Sequence, residues 1–134
     1  MTQQLTDKSD VFGFGVVLLE LITARNPIEK GIYVVKAVRE TMNKSKILYN
    51  LHSILDQGLA SSMTTKSMER FVDLAMKCVE EGVDRPTMSE VVKEIESIME
   101  SVRLVQHRLQ QLLQHQQLQL AMKAIPSVMR HCKT

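Results

Sequence analysis

Histidine and cysteine are the residues of this chain best suited to bind a metal or act as nucleophiles, and their spacing favours neither role. The four histidines are far apart in the sequence, and none stands at metal-ligand spacing from a cysteine or an acid. They are His52, His107, His115 and His131. The cysteines, Cys78 and Cys132, are too few for a disulfide framework, and Cys78 falls on the apolar face of a predicted helix. We therefore predict solvated histidines, a buried thiol at position 78 and no metal site.

Two spaced signatures in residues 1–100 are more informative. Residues 8–21 have the sequence KSDVFGFGVVLLEL, and residues 84–88 have DRPTM, with Cys78 shortly before them. Together they resemble the second half of the C-terminal lobe (C-lobe) of a protein kinase, specifically that of plant receptor-like Ser/Thr kinases of the leucine-rich-repeat type. The resemblance runs from Thr2 to about Glu100. It implies an all-α fold, a partial kinase C-lobe in which a central buried helix is followed by further helices and by a C-terminal helical extension.

The reaction of that family is transfer of a phosphoryl group from ATP to Ser or Thr, with magnesium, and it depends on motifs that these 134 residues do not contain. The sequence has no Gly-rich loop, Val-Ala-x-Lys strand, His-Arg-Asp loop, Asp-Phe-Gly or Ala-Pro-Glu. We therefore assign no catalytic, cofactor-binding or metal residue and predict that the chain alone is inactive. The expected partner is the missing N-terminal part of the kinase domain. The chain as given is expected to be cytoplasmic, and the resemblance puts the parent receptor at the plasma membrane.

The resemblance also assigns structural roles to four residues. Asp10 matches the aspartate that opens the central helix and holds the catalytic loop through backbone hydrogen bonds. Val17 and Leu21 match positions where that helix anchors the apolar spine below the adenine. Arg85 matches the arginine that forms a buried pair with the glutamate of Ala-Pro-Glu, for which Asp84 or Glu81 is a candidate substitute here.

Local patterns predict the elements that position these residues. Acids near position 7 and Asn26-Pro27 delimit a helix over 7–24 that is apolar on nearly every face and should be surrounded by protein. Without the covering parts of a kinase it should expose an apolar surface larger than a monomer usually tolerates, and Gly15 should permit close packing. Further helices are expected at 33–42, around 48–55, at 67–81 with Gly82 as its stop, and at 88–100 behind a Thr87/Glu90 capping box. Residues 57–66 are predicted to be a loop, and a strand at 32–35 is disfavoured.

Residues 101–134 differ in composition and form a second predicted segment, a Gln/Leu-rich basic helical tail. All 15 acids lie at or before Glu100, so the tail has a net charge of +5 and residues 1–100 have −3. The tail is too sparsely charged and too poor in aromatics for nucleic acid. An apolar seam with alternating spacings of three and four crosses the boundary and predicts a short coiled coil, and Pro126 is expected to end any helix. Its members are Ile95, Ile98, Val102, Val105, Leu109 and Leu112. The alternative function is therefore a non-catalytic interaction module that dimerises or docks a partner through residues 95–112.

Overall fold

The computed structural model describes residues 7–29, 32–44 and 52–131. The chain divides into two units, Met1–Met99 and Glu100–Thr134. Apart from one very short strand pair, the regular structure of the described part is helical, as the sequence predicts. No helix within these ranges is both long and apolar enough to cross a membrane.

Helix α1, Asp7–Thr23, is the element against which the rest of the first unit packs. Asp7 and Asp10 lie in its first turn, where their negative charge favours the free N–H groups. The helix ends at Thr23, and the next residue, Ala24, has a left-handed φ of 51°, a common way for a helix to terminate. In its last turn, the carbonyl of Ile22 accepts a hydrogen bond from the backbone N–H of Asp56 at 2.8 Å, which holds the distant segment around residue 56 against this end of α1.

A short hairpin leads into the second helix. Strand β1, Ile28–Glu29, pairs antiparallel with β2, Ile32–Tyr33. Helix α2, Val34–Lys44, follows directly, and its first N–H donates to the carbonyl of Pro27 at 3.0 Å. The prediction against a strand at 32–35 is wrong for its first two residues, because this backbone pairing imposes extended geometry before the helical pattern begins. In the region predicted as a helix around 48–55, Leu48 and Leu51 lie outside the described residues, and residues 54 and 55 form a turn.

The predicted loop at 57–66 contains a helix, α3, Gln57–Ser62. The Asp56 carboxylate accepts from the Leu59 N–H at 2.8 Å and caps the start of α3. The composition is rich in small polar residues, which favour loops, but a side-chain cap of this kind stabilises a short helix by about 1 kcal/mol. Only Met63 and Thr64 separate α3 from α4, Thr65–Cys78, and Thr64 in turn caps α4 through the Ser67 N–H at 3.2 Å.

The predicted end of α4 at residue 81 is also wrong. The helix ends at Cys78, with Val79 as its C-cap. Gly82 has φ of 65°, but it opens a short 3₁₀ turn, Gly82–Asp84, and does not terminate α4. The glycine is needed for a left-handed backbone in the connection, a use that its sequence context does not distinguish from a helix stop.

Helix α5, Met88–His131, begins where the capping box predicts. The Glu90 carboxylate accepts from the Thr87 N–H at 2.7 Å and from its hydroxyl at 2.8 Å, and Thr87 Oγ1 accepts from the Glu90 N–H at 3.3 Å. The prediction that Pro126 ends the helix is wrong, because α5 continues to His131. A proline removes only its own N–H from the hydrogen-bond ladder, so it disfavours continuation without forbidding it.

The apolar core of the first unit consists of two clusters of buried side chains. The larger joins α1, α2 and α4 around Leu19, Val38 and Val72. The smaller joins α1 and α4 to the start of α5, and its members are Val11, Leu74, Cys78, Val91 and Ile98. Both clusters draw on α1, so this helix fixes the positions of its neighbours.

Candidate functional site: the outer face of α1 and the Arg85 anchor

Three of the four residues singled out by the resemblance lie on one exposed face of α1. Residues 10, 17 and 21, with Gly13 between them, recur at spacings of three and four, which places them along one side of a helix. Asp10 and Gly13 are exposed, Val17 is 45% exposed and Leu21 is 61% exposed. We call this surface the α1 outer face. It combines one carboxylate at the helix N-terminus with two uncovered aliphatic side chains.

The opposite face of α1 is fully used inside the first unit. Its buried side chains follow the complementary spacing and include Val11, Leu18, Leu19 and Ile22. The prediction that protein surrounds α1 on all sides is therefore wrong for this chain. Val17 and Leu21 are exposed, while the predicted extent of the apolar surface stays a prediction. The physical reason for both outcomes is the same, because a helix apolar all round needs partners on every side and the first unit supplies them on one.

Gly15 allows α1 to approach α4 closely, as the sequence predicts. A Cβ added at this position would lie 2.5 Å from the Cβ of Cys78, 2.9 Å from Cγ1 of Val79 and 3.2 Å from the carbonyl oxygen of Ala75. Carbon atoms in contact are about 3.5–4.0 Å apart, so only a residue without a side chain fits. This close contact fixes the rotation of α1 and hence the direction in which its outer face points.

Arg85 links the start of α1 to the connection before α5. Its Nη1 donates to the Lys8 carbonyl at 2.7 Å, and its Nε donates to the Glu80 carbonyl at 2.9 Å. The ammonium of Lys8 donates in return to the Arg85 carbonyl. The guanidinium also lies over the Phe12 ring, 5.1 Å from its centroid, within the range of a cation–π interaction.

The proposed acidic substitutes for a partner of Arg85 do not pair with it. Asp84 and Glu81 are exposed, and within the described ranges no carboxylate forms an ion pair with Arg85. Backbone carbonyls accept hydrogen bonds from Arg85 in place of a carboxylate. They are sufficient to compensate its partial burial, because the guanidinium is only half-buried and has several N–H donors. Nη2 makes no hydrogen bond with the described part of the chain.

An open cleft separates the first turns of α1 and α5. It has a volume of about 480 Å³, and its lining includes Lys8, Asp10, Thr87 and Met88. The Thr87–Glu90 hydrogen bonds lower the pKa of the Glu90 carboxyl from its usual range, with smaller contributions from nearby lysines, so it is ionised when it caps α5. Asp10 therefore belongs both to the lining of this cleft and to the α1 outer face.

The remaining candidates are a buried thiol and three exposed histidines in the described part of the chain. Burial raises the pKa of the Cys78 thiol, which keeps it protonated and unreactive, as expected for a core cysteine. His52, His107 and His115 are exposed, and no cluster of metal-ligating side chains occurs among the described residues. The side chain of His131 and all of Cys132 lie outside them.

The seam predicted over 95–112 is divided between two environments. Ile98 is buried and Ile95 packs against it in the smaller core cluster of the first unit. Ile98 is therefore unavailable to a partner, and Ile95 is only partly exposed. Val105, Leu109 and Leu112 are exposed, so the apolar stripe that remains open begins near Val102.

Residues 1–96 match the family of protein tyrosine and serine/threonine kinases. Over 106 residues the chain is 57% identical to a protein of Arabidopsis thaliana named as a probable leucine-rich repeat receptor-like protein kinase, an alignment of 78% of this chain and 11% of the relative. It is 41% identical over 104 residues to an Arabidopsis protein named as a putative leucine-rich repeat receptor-like serine/threonine-protein kinase, an alignment of 77% of this chain and 11% of the relative. The chain thus spans about a tenth of the length of these relatives.

A partial kinase C-lobe is therefore the class that the helical fold and the matched residues define. The chain belongs to the protein kinase family, and the proteins it is similar to are plant receptor-like kinases. The family roles of Asp10, Val17, Leu21 and Arg85 remain predictions. Sequence reasoning missed the contacts of Lys8 and Phe12 with Arg85, because nothing in the residue types links positions about 75 apart.

Proposed function

We propose that residues 1–100 form the second half of the kinase C-lobe in a receptor-like Ser/Thr kinase, on the cytosolic side of the membrane. The reaction of the whole protein is transfer of the γ-phosphoryl group of ATP to Ser or Thr. This chain supplies none of the groups that bind ATP or magnesium. Its contribution is the helical base on which the catalytic loop and the activation segment pack, with residues 10, 17 and 21 as the docking face.

The observation that carries this proposal is the chemistry of the α1 outer face. Val17 and Leu21 expose large aliphatic side chains one turn apart, while Asp10 offers an exposed carboxylate about two turns from Val17 toward the helix N-terminus. A carboxylate accepts backbone N–H groups, and the aliphatic pair loses water when another apolar element covers it. The face therefore fits a polypeptide segment that brings N–H donors near Asp10 and apolar side chains over Val17 and Leu21.

Arg85 supports the same proposal. Its Nε and Nη1 are used by carbonyls inside the first unit, and Nη2 has no bond to the described part of the chain. A guanidinium binds a carboxylate through parallel N–H groups. The glutamate of an Ala-Pro-Glu segment would complete its donor set, while the carbonyl bonds hold the arginine in position before that glutamate arrives.

A chimera tests the proposal. The part of the kinase domain that precedes the match in the relative at 57% identity is joined ahead of this chain, and autophosphorylation on Ser and Thr is measured with ATP and magnesium. We expect the chimera to be active and the chain of 134 residues to be inactive. Leu21→Arg should abolish the activity, because the apolar segment that covers residue 21 would bury an unpaired charge.

Val83→Arg is the matched control for the chimera. Val83 is 97% exposed and lies outside the α1 outer face, so its replacement should leave activity unchanged. A folded chimera without activity would contradict the proposal, as would activity that survives Leu21→Arg. Phosphorylation by the chain alone would show that its chemistry has been misassigned.

A further inference from the structure

Helix α5 exposes an apolar stripe within the first unit. Met88 is 36% exposed, Val92 is 47% exposed and Met99 is 49% exposed. Spacings of four and seven residues place these three side chains on one side of the helix, over about three turns. Ile95 lies between them and is half-buried. We call Met88, Val92 and Met99 the α5 stripe.

Contacts with α4 and with the core fix the rotation of α5. The guanidinium of Arg70 on α4 binds the Glu94 carboxylate at 2.8 Å and donates to the Ser97 hydroxyl at 2.9 Å. Val91 and Ile98 are buried in the smaller core cluster. The α5 stripe is next to these buried residues around the helix axis, so the apolar face of α5 is wider than the part that the first unit covers.

The α5 stripe adjoins the surface that the proposed function assigns to the rest of a kinase domain. Met88, at one end of the stripe, lines the open cleft between the first turns of α1 and α5, and Asp10 of the α1 outer face lines the same cleft. Met88 and Val92 also lie within residues 1–96, which match the kinase family. Continuity with the α1 outer face therefore indicates the same occupant, the part of a kinase domain that precedes the match.

The geometry of the stripe favours a helix as the covering element. The outside of α5 offers no backbone N–H or C=O to a neighbour, because the hydrogen-bond ladder of the helix uses them. An extended segment that covered the stripe would therefore bury backbone groups without partners, whereas a second helix satisfies its own. Spacings of four, three and four along Met88, Val92, Ile95 and Met99 also suit the packing of side chains from a second helix.

We infer that the α5 stripe is a second docking surface of the first unit, covered by one helix with an apolar face from the part of a kinase domain that precedes the match. The inference rests on the proposed function and adds to it a surface on a different helix and the kind of element that binds there. Removal of the three exposed apolar side chains from water is the source of the binding energy. The two methionines can adapt their shape to the covering helix.

Methionine oxidation by hydrogen peroxide tests the inference without any substitution in this chain. The chain alone is compared with the chimera that tests the proposed function, and peptide mass spectrometry gives an oxidation rate for each methionine. We expect Met88 and Met99 to be oxidised about 10-fold or more slowly in the chimera, because a covered side chain reacts only after a local opening. Met122 is 69% exposed and lies outside the first unit, so its rates in the two proteins should agree within about 2-fold.

Val92→Glu and Lys93→Glu are matched variants for a second measurement. Both positions are exposed, but Lys93 is the next residue along the helix and points to another side. In urea unfolding of the chimera, Val92→Glu should lower the midpoint and Lys93→Glu should change it little, because only residue 92 would bury an unpaired carboxylate. In the chain alone both substitutions should have small effects, since neither position is covered.

The outcomes separate this inference from the proposed function. Maleimide labelling of Leu21→Cys reports on the α1 outer face alone. If residue 21 is protected in the chimera and Met88 and Met99 are not, the α5 stripe is not a docking surface, while the docking role of α1 stands. If none of the three is protected, or if the chimera has no cooperative unfolding transition, both proposals are overturned.

Two further results would overturn the inference alone. Oxidation of Met88 and Met99 in the isolated chain might slow as its concentration rises, with no further slowing in the chimera; that result would assign the stripe to a second copy. Equal effects of Val92→Glu and Lys93→Glu on the midpoint of the chimera would show that nothing covers residue 92.

Discussion

Replacing Gly15 with alanine measures how closely α1 and α4 must approach. The added Cβ would lie 2.5 Å from the Cβ of Cys78, which is about 1 Å inside normal contact. That Cβ is bonded directly to the backbone of α4, so no side-chain rotation can move it away. The two helices must separate, and forcing extra volume into a packed core costs about 1–3 kcal/mol.

Gly13→Ala is the control that isolates this steric cost. Gly13 lies in the same helix, and an added Cβ there meets no atom within 4 Å. Both substitutions gain the same helix propensity, about 1 kcal/mol for alanine over glycine, so Gly13→Ala should stabilise the chain. The propensity term cancels when the two variants are compared. Gly15→Ala should therefore be less stable than Gly13→Ala by about 1–3 kcal/mol.

The assay is urea unfolding of both variants, followed by circular dichroism at the helical band, with the free energy of unfolding extrapolated to water. A second substitution sharpens the test. Cys78→Ala keeps the offending Cβ, so adding it to Gly15→Ala should not restore stability. If Gly15→Ala is as stable as Gly13→Ala, the close approach of α1 to α4 is refuted. Rescue by Cys78→Ala would mean that the sulfur, and not the Cβ, causes the clash.

Three further outcomes follow from the capping box, the anchor and the core thiol. Thr87→Ala should destabilise the chain by about 1 kcal/mol in urea unfolding, as for other lost caps. Hydrogen bonds from Thr87 lower the pKa of the Glu90 carboxyl in the folded chain. That carboxylate therefore stabilises the fold above the ordinary glutamate pKa, and this stability is lost as pH falls through the pKa of Glu90 in the folded chain. NMR titration of Thr87→Ala should find the pKa of Glu90 raised. Arg85→Ala should lower the free energy of unfolding by about 1–3 kcal/mol. Arg85→Lys should not restore this stability, because an ammonium cannot bond the Lys8 and Glu80 carbonyls with the same geometry. Equal stability of Arg85→Lys and the natural chain would contradict the anchoring role of Arg85. Burial raises the pKa of the Cys78 thiol, so its contribution to stability is complete below the ordinary thiol pKa and is lost as pH rises through the pKa of Cys78 in the folded chain. Mass spectrometry should find the Cys78 peptide alkylated only after unfolding. Rapid alkylation of Cys78 in the native chain would contradict its burial.

Elements with a strong local signal could be predicted from the sequence. The acids before an apolar run place the start of α1, and the pairing of Thr87 with Glu90 places the start of α5, because each signal lies within one turn of the helix that it starts. The burial of Cys78 likewise follows from its place on an apolar helical face. Gly15 could be noticed as a site for close packing, but the neighbour it serves could not be named.

What could not be predicted depends on contacts between distant residues or on competition between weak signals. Asp56 caps a helix in a stretch whose composition favours a loop, and Gly82 uses its left-handed backbone outside the helix it was expected to stop. The bonds of Arg85 to Lys8 join positions 77 apart. The division of the apolar seam at Ile98 likewise depends on which side chains the first unit buries.

The central claim is that the α1 outer face receives another part of a kinase domain. Its most direct test is solvent protection of residue 21. Leu21→Cys and the control Val83→Cys are prepared in the isolated chain and in the chimera, with Cys132 replaced by serine, and maleimide labelling rates are compared. We predict that residue 21 is labelled rapidly in the isolated chain and slowly in the chimera, while residue 83 is labelled rapidly in both. Equal labelling of residue 21 in the two proteins would contradict the claim.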